Sequence, residues 1–197
     1  MKIYILRHED RTIDATFFSP LTEQGLNNAN NLIPIIQKLN ITKIYCSPFI
    51  RTMQTIYPFS KKNNIKLNLD YSLIEIQHES IIPPKSHSVE LPLYIAKEFN
   101  YNTDYISSIK PSEISYPEDQ IFLEKRTKKF LKHIIYNHYK TNENILLVTH
   151  QGLCTVILKI VDKFGITKPD IPILENYPLG CLSLIFENNQ WNYKKIN

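Results

Sequence analysis

Lys2–Leu6 is a short apolar run that ends on charge, the pattern of a buried strand. Ser19-Pro20-Leu21-Thr22 then opens a helix. Thr22 is its N-cap and Glu23 lies in the first turn. Apolar residues recur at Leu26, Ala29, Leu32, Ile33 and Ile36, which predicts one continuous helix. Lys43–Cys46 reads as a second strand, and Ser47-Pro48 as the start of another helix with Pro48 at its first position. Ile65–Leu69 alternates, as a strand near an edge does. Residues 77–117 are irregular and rich in Pro, Ser and Tyr, with one helix expected at Val89–Phe99. A long helix is expected from about Glu118 to Tyr139. Asn144–Thr149 is the clearest buried strand, followed by a helix over Gly152–Phe164. Cys181–Glu187 and Trp191–Lys195 pattern as a terminal hairpin over Asn188-Asn189. Strands alternating with helices predict an α/β fold: a three-layer α/β/α sandwich on a mostly parallel sheet with an antiparallel edge.

A chain of 197 residues favours one domain over 1–197, with the excursion at about 77–117 as a lid that sets specificity. The composition is 43% hydrophobic and 21% charged, which excludes global disorder. No run approaches the roughly 20 apolar residues that span a bilayer, and the N-terminus lacks a signal-peptide pattern. A cytoplasmic protein with no membrane partner is expected. Cys46, Cys154 and Cys181 are odd in number and widely spaced, so reduced thiols are expected. The net charge of +4 is mild. Its densest clusters, Lys61-Lys62 and Lys125-Arg126 with Lys128-Lys129, read as solvated faces. No long basic stripe with interleaved aromatics marks a nucleic-acid groove. Apolar edge strands leave a homodimer open.

Three strands run into polar residues. The first ends in Arg7-His8, the second in Ser47 with Arg51 one helical turn on, and the later one in His150. In open α/β sheets, ligands bind beyond the carboxyl ends of the strands. Arg7, His8, Arg51 and His150 are therefore expected to meet in one cationic crevice. Guanidinium forks match phosphate oxygens, and the helices after Ser47 and His150 offer N-terminal amides to an anion. The residues alone point to a phosphoryl site with a histidine at its base.

These residues also carry a family pattern. Arg7-His8-Glu9, Leu21-Thr22-Glu23-Gln24-Gly25, Ser47-Pro48-Phe49-Ile50-Arg51-Thr52-Met53-Gln54-Thr55, Leu73-Ile74-Glu75 and Val148-Thr149-His150-Gln151-Gly152 occur in the order seen in the histidine phosphatase superfamily, the phosphoglycerate mutase-like proteins. The chain resembles that family over most of its length. The Arg7-His8-x-x-Arg11 spacing resembles the suppressor-of-T-cell-signalling-like phosphatases and also the acid phosphatases, and the layout from Glu90 to Arg126 is similar to the former. The resemblance implies a metal-independent phosphomonoesterase without a cofactor. His8 would form a phosphohistidine. Arg7, Arg51, His150 and Arg11 would hold the phosphoryl oxygens, and Glu75 would act as proton donor, with Glu79 a competing carboxylate. Arg7 and Arg51 should depress the pKa of His8, and a backbone carbonyl on its other N–H would fix the tautomer. The substrate expected is a phosphorylated small molecule or a phosphopeptide.

One position departs from the pattern. Glu9 stands where the family has glycine. Pointing inward, its carboxylate would repel phosphate; pointing to solvent, or paired with Arg11, it would not. The departure keeps open a phosphate-binding scaffold without turnover, and a mutase-type phosphotransferase is the further alternative. His78, His87, His133 and His138 read as surface or loop residues, and Trp191 and the tyrosines as packing. Tyr94, Tyr101 and Tyr105 are expected either to line the lid or to pack.

Overall fold

The computed structural model describes residues 1–84, 89–163 and 177–197. Its six-stranded sheet has the order β3-β2-β4-β1-β5-β6. The strands are β1 (Lys2–Arg7), β2 (Lys43–Cys46), β3 (Leu67–Leu69), β4 (Asn144–Thr149), β5 (Leu182–Glu187) and β6 (Gln190–Lys195). The first four run parallel, while β5 lies antiparallel to β1 and β6 antiparallel to β5. The expected α/β class with an antiparallel edge is what the chain adopts.

Alternation along the central strands builds two cores. Tyr4, Leu6, Ile44, Leu146 and Val148 face one side. There they meet Leu32 and Ile36 near α1 (Glu23–Asn31) and α2 (Ile33–Gln37), and Met53, Ile56 and Phe59 of α3 (Ile50–Asn63). Ile3, Ile5, Tyr45, Ile145 and Leu147 face the other side. They pack on Leu123, Phe130 and Ile134 of α5 (Gln120–His138) and on Leu153 and Ile157 of α6 (Gln151–Lys163). The short α4 spans Leu93–Ala96.

Local chemistry sets the boundaries. Thr22 caps α1 by accepting from the Gly25 N–H at 3.0 Å. The helix expected to run on to Ile36 is broken at Leu32, because Pro34 sits in the first turn of α2 and donates no N–H. Leu26, expected on its buried stripe, is 43% exposed. The helix after Ser47 starts at Ile50 with Phe49 as its cap, two residues beyond Pro48. The helix expected over Val89–Phe99 is reduced to the single turn of α4. Asn188 and Asn189 both take the left-handed conformation that a tight hairpin needs, joining β5 to β6.

Two surface expectations fail for a shared reason. Arg126 and His138 project from the apolar stripe of α5, in register with Leu123, Phe130 and Ile134, and both are buried. His138 hydrogen-bonds the Tyr45 hydroxyl at 3.0 Å and pairs with Glu143 at the far end of the sheet. His78 and His133 are exposed, and His87 lies outside the described residues. All three thiols are free and buried, and Trp191 packs edge-on against Phe186.

Candidate active site

The register of the parallel strands brings the chemistry together. Arg7 pairs with Thr149, and Cys46 with Val148. The next residues extend the ladder: His8 N–H donates to the Thr149 carbonyl at 2.9 Å and Ser47 N–H to the Val148 carbonyl at 3.0 Å. His8, His150 and Ser47 therefore emerge side by side at one edge of the sheet.

A cavity of about 450 Å³ opens there. Arg7, His8, Arg11, Arg51 and Glu75 all line it. His150 stands just behind this lining, fully buried, with its ring 5.2 Å from that of His8 and 4.7 Å from Phe49. Its Nε2 and the Ser47 hydroxyl lie 2.8 Å apart. Arg51 donates to the Thr16 carbonyl at 2.8 Å and lies over the Phe49 ring. Arg7 donates to the Tyr177 carbonyl and Arg11 to the Thr12 carbonyl. These bonds orient the guanidinium groups without neutralising them. The Nε atoms of Arg7 and Arg51 and the Nδ1 of His150 are buried without a partner. Unpaired buried donors beside three arginines suit an anion.

His8 has a defined tautomer. Its Nδ1 lies 2.7 Å from the Glu9 carbonyl, an acceptor only, so the neutral ring carries its proton there. The lone pair is on Nε2. Burial first, then the nearby Arg51 charge, hold His8 well below the ordinary histidine value. Burial and Arg51 do the same to His150. Burial also brings Arg51 down to about 9, which leaves it charged at neutral pH.

Glu75 is 6% exposed and lies on the cavity wall. Its Oε1 accepts from the Ile76 N–H at 2.9 Å. Glu79, the competing carboxylate, is exposed and does not line the cavity. The segment carrying Glu75 has no regular structure of its own and is fixed by Arg126. That arginine donates to the Ser72 carbonyl at 2.7 Å and the Ile74 carbonyl at 3.3 Å. It also holds the Glu118 carboxylate in a fork, at 2.6 and 3.0 Å. Glu118 in turn accepts from the Gln77 N–H at 3.2 Å, and Thr149 donates to the Leu73 carbonyl at 2.6 Å. The fully buried Arg126–Glu118 pair thus grips the backbone on both sides of Glu75. Sequence reasoning missed this pair. The available signal was that Arg126 falls on the buried stripe of α5.

Glu9 takes none of its expected orientations. It is buried and off the cavity lining. Its carboxylate accepts from Asn28 at 3.2 Å, and burial raises its pKa. Its N–H donates to Thr55 Oγ1 at 3.0 Å. Of the excursion at about 77–117, Ser80 and Ile81 reach the cavity. Tyr94 is exposed, Tyr101 bridges to Leu67, and Tyr105 donates to Asp70 at 2.5 Å. Among the described residues no group of three or more His, Cys, Asp or Glu side chains gathers to hold a metal.

The family profile of the histidine phosphatase superfamily (branch 1) matches residues 7–197. The chain belongs to that superfamily. No curated relative matches the sequence. Among solved structures, the fold is similar to an ecdysone phosphate phosphatase from Bombyx mori in complex with tungstate. The TM-score is 0.77 at 15% identity, over 98% of this chain and 91% of that one. It is also similar to a mycobacterial glucosyl-3-phosphoglycerate phosphatase with inorganic phosphate (0.70, 13%, 98% and 95%). A third is a putative alpha-ribazole-5'-P phosphatase from Escherichia coli (0.68, 18%, 100% and 96%). At these identities the likeness is one of fold. It accords with the mixed sheet of this superfamily member, and its structural neighbours are phosphatases.

Proposed function

We propose that this histidine phosphatase superfamily member is a metal-independent phosphomonoester hydrolase working through a phosphohistidine on His8. One observation carries the reading. The Glu9 carbonyl accepts a hydrogen bond from the Nδ1–H of His8, leaving the lone pair of Nε2 as a free nucleophile on a floor of Arg7, Arg11 and Arg51. Nε2 attacks phosphorus, the P–N bond forms and the ester P–O bond breaks. Glu75 gives its proton to the departing oxygen. Water then attacks the phosphohistidine, Glu75 takes a proton back, and the P–N bond breaks to release phosphate. Arg7, Arg11 and Arg51 spread the equatorial charge, with the unpartnered Nδ1 of His150 beside them.

The orientation of Glu9 favours turnover over a phosphate-binding scaffold, because its carboxylate is kept out of the cavity. The neighbours are named for phosphate esters of small molecules, which favours such a substrate over a phosphopeptide. We treat the chain as one domain, with Ser80 and Ile81, among the described residues of the excursion, meeting substrate. The test is hydrolysis of p-nitrophenyl phosphate in EDTA. Wild type should turn over and His8→Ala should not. Activity that needs added metal, or persists in His8→Ala, would contradict the mechanism.

A further inference from the structure

The cavity continues away from the arginines as a groove with a direction. On α6, Gly152, Val156 and Ile160 line it and recur every four residues, so they form one row along the helix. The row begins at the proton donor. A Cβ on Gly152 would come within 2.6 Å of Glu75 Oε1 and 2.8 Å of Ile76 Cδ1. It ends about 12 Å further on, at 1.5 Å per residue. The departing oxygen must sit at Glu75, so the alcohol it belongs to lies along this row.

The walls differ in chemistry. α6 lends two rows to the lining: the largely buried Val156 and Ile160, which with Ile76 and Ile81 are apolar, and the more exposed Gln151, Thr155 and Lys159, which are polar. Across from them the first turns of α5 present Gln120 and Glu124, also four residues apart. Glu124 is paired with Lys128 at 3.1 Å. The only cation of the outer groove among the described lining residues is the exposed Lys159. Lys125, Lys128, Lys129 and Lys132 line an adjoining hollow that shares Gln120 and Glu124, but none of them lines this groove, so a second phosphoryl or carboxylate group would not find the three-arginine cradle here.

We infer that this groove binds the alcohol portion of the substrate, and that the substrate class is the monophosphate of an uncharged, ring-sized, amphipathic alcohol. Its apolar face lies against Ile76, Ile81 and the edge of Val156, and its hydroxyl or amide groups face Gln120, Glu124, Gln151 and Thr155. The inference rests on the hydrolase reading above and specifies its substrate.

Three alkyl esters with similar leaving groups test it on the full chain: naphthylmethyl phosphate, benzyl phosphate and 3-phosphoglycerate. Wild-type kcat/KM should be about tenfold higher for naphthylmethyl than for benzyl phosphate, and about a hundredfold higher than for 3-phosphoglycerate. Val156→Asn should cut the naphthylmethyl-to-benzyl ratio to about two or less. Should Val156→Asn not fold, Ile81→Ser provides the same reading, and the wild-type order stands as a test without any variant. A wild-type ratio near one, or a preference for 3-phosphoglycerate, overturns the groove. p-Nitrophenyl phosphate separates the two levels. His8-dependent hydrolysis of it without a ring preference overturns the groove alone, and no His8-dependent hydrolysis of any ester overturns the hydrolase reading as well.

Discussion

The Glu9 carboxylate fills the space that a Cβ on Gly180 would occupy. Gly180 is left-handed, with φ of 61°, and its N–H donates to the His8 carbonyl at 3.3 Å. The side chain that replaces the family glycine is thus accommodated by a glycine from the other end of the chain, behind the nucleophile. Gly180→Ala should destabilise the protein by about 1–3 kcal/mol through both collision and strain. Glu9→Gly should remove the collision and leave the strain. A double-mutant cycle read by urea unfolding should then show a favourable coupling of about 1 kcal/mol or more between the two changes. Strict additivity would mean that the two residues do not share this space.

The buried Glu9 carboxyl also has a pH signature. Its folded pKa is raised chiefly by burial, opposed by the Asn28 bond. Above the ordinary carboxyl value the unfolded chain releases this proton more readily than the folded one, so Glu9 weakens the fold as pH rises. Glu9→Gln should therefore raise Tm at pH 7 by a few degrees. The gain should shrink as pH falls toward about 4.5. A gain independent of pH would point to some other cause.

His8 and His150 act in the opposite sense. Both are held neutral in the fold, while the unfolded chain protonates them near the ordinary value of about 6.5. Stability from this source is present above that value and is lost as pH falls below it. In the same way, the histidine that limits kcat/KM on the acid side should titrate below about 6.5. Arg51→Met removes the second-largest cause of the His8 shift and should move that limb to higher pH with the same substrate. It should also lower the rate by about 10²–10³-fold. A limb unmoved by Arg51→Met would show that this charge does not set the state of His8.

The Arg126–Glu118 pair should act on the leaving group. Removing one partner of a buried pair costs about 3–5 kcal/mol, so Arg126→Met alone should be markedly destabilised. The double variant Arg126→Met/Glu118→Gln leaves no unpaired charge and should recover part of that loss. Neither change restores the grip on the Ser72 and Ile74 carbonyls. Both variants should therefore lose far more rate on benzyl phosphate, whose alkoxide needs the Glu75 proton, than on p-nitrophenyl phosphate, whose anion leaves unaided. Equal losses on the two esters would reduce the pair to a structural role.

What was legible in the sequence follows from range. β1 and β4 are buried on both faces, so they read as apolar runs, and the charged residues that end them could be placed on one edge. The parallel register then did the convergence. Arg126 was illegible because Lys125, Lys128 and Lys129 surround it in sequence, while its partners Ser72, Ile74 and Glu118 meet it only through tertiary packing. The break at Leu32 was legible in principle from Pro34, but the apolar recurrence through Ile36 masked it. The orientation of Glu9 depended on Gly180, some 170 positions away, and no local pattern could reveal it.

The most direct test of the central claim is a rapid acid or base quench of the protein mixed with a ³²P-labelled phosphomonoester in EDTA. The account predicts label on the protein that survives base and is lost in acid, maps to His8, and is absent from His8→Ala. Turnover by the wild type with no labelled protein at any quench time, or label on another residue, would contradict it.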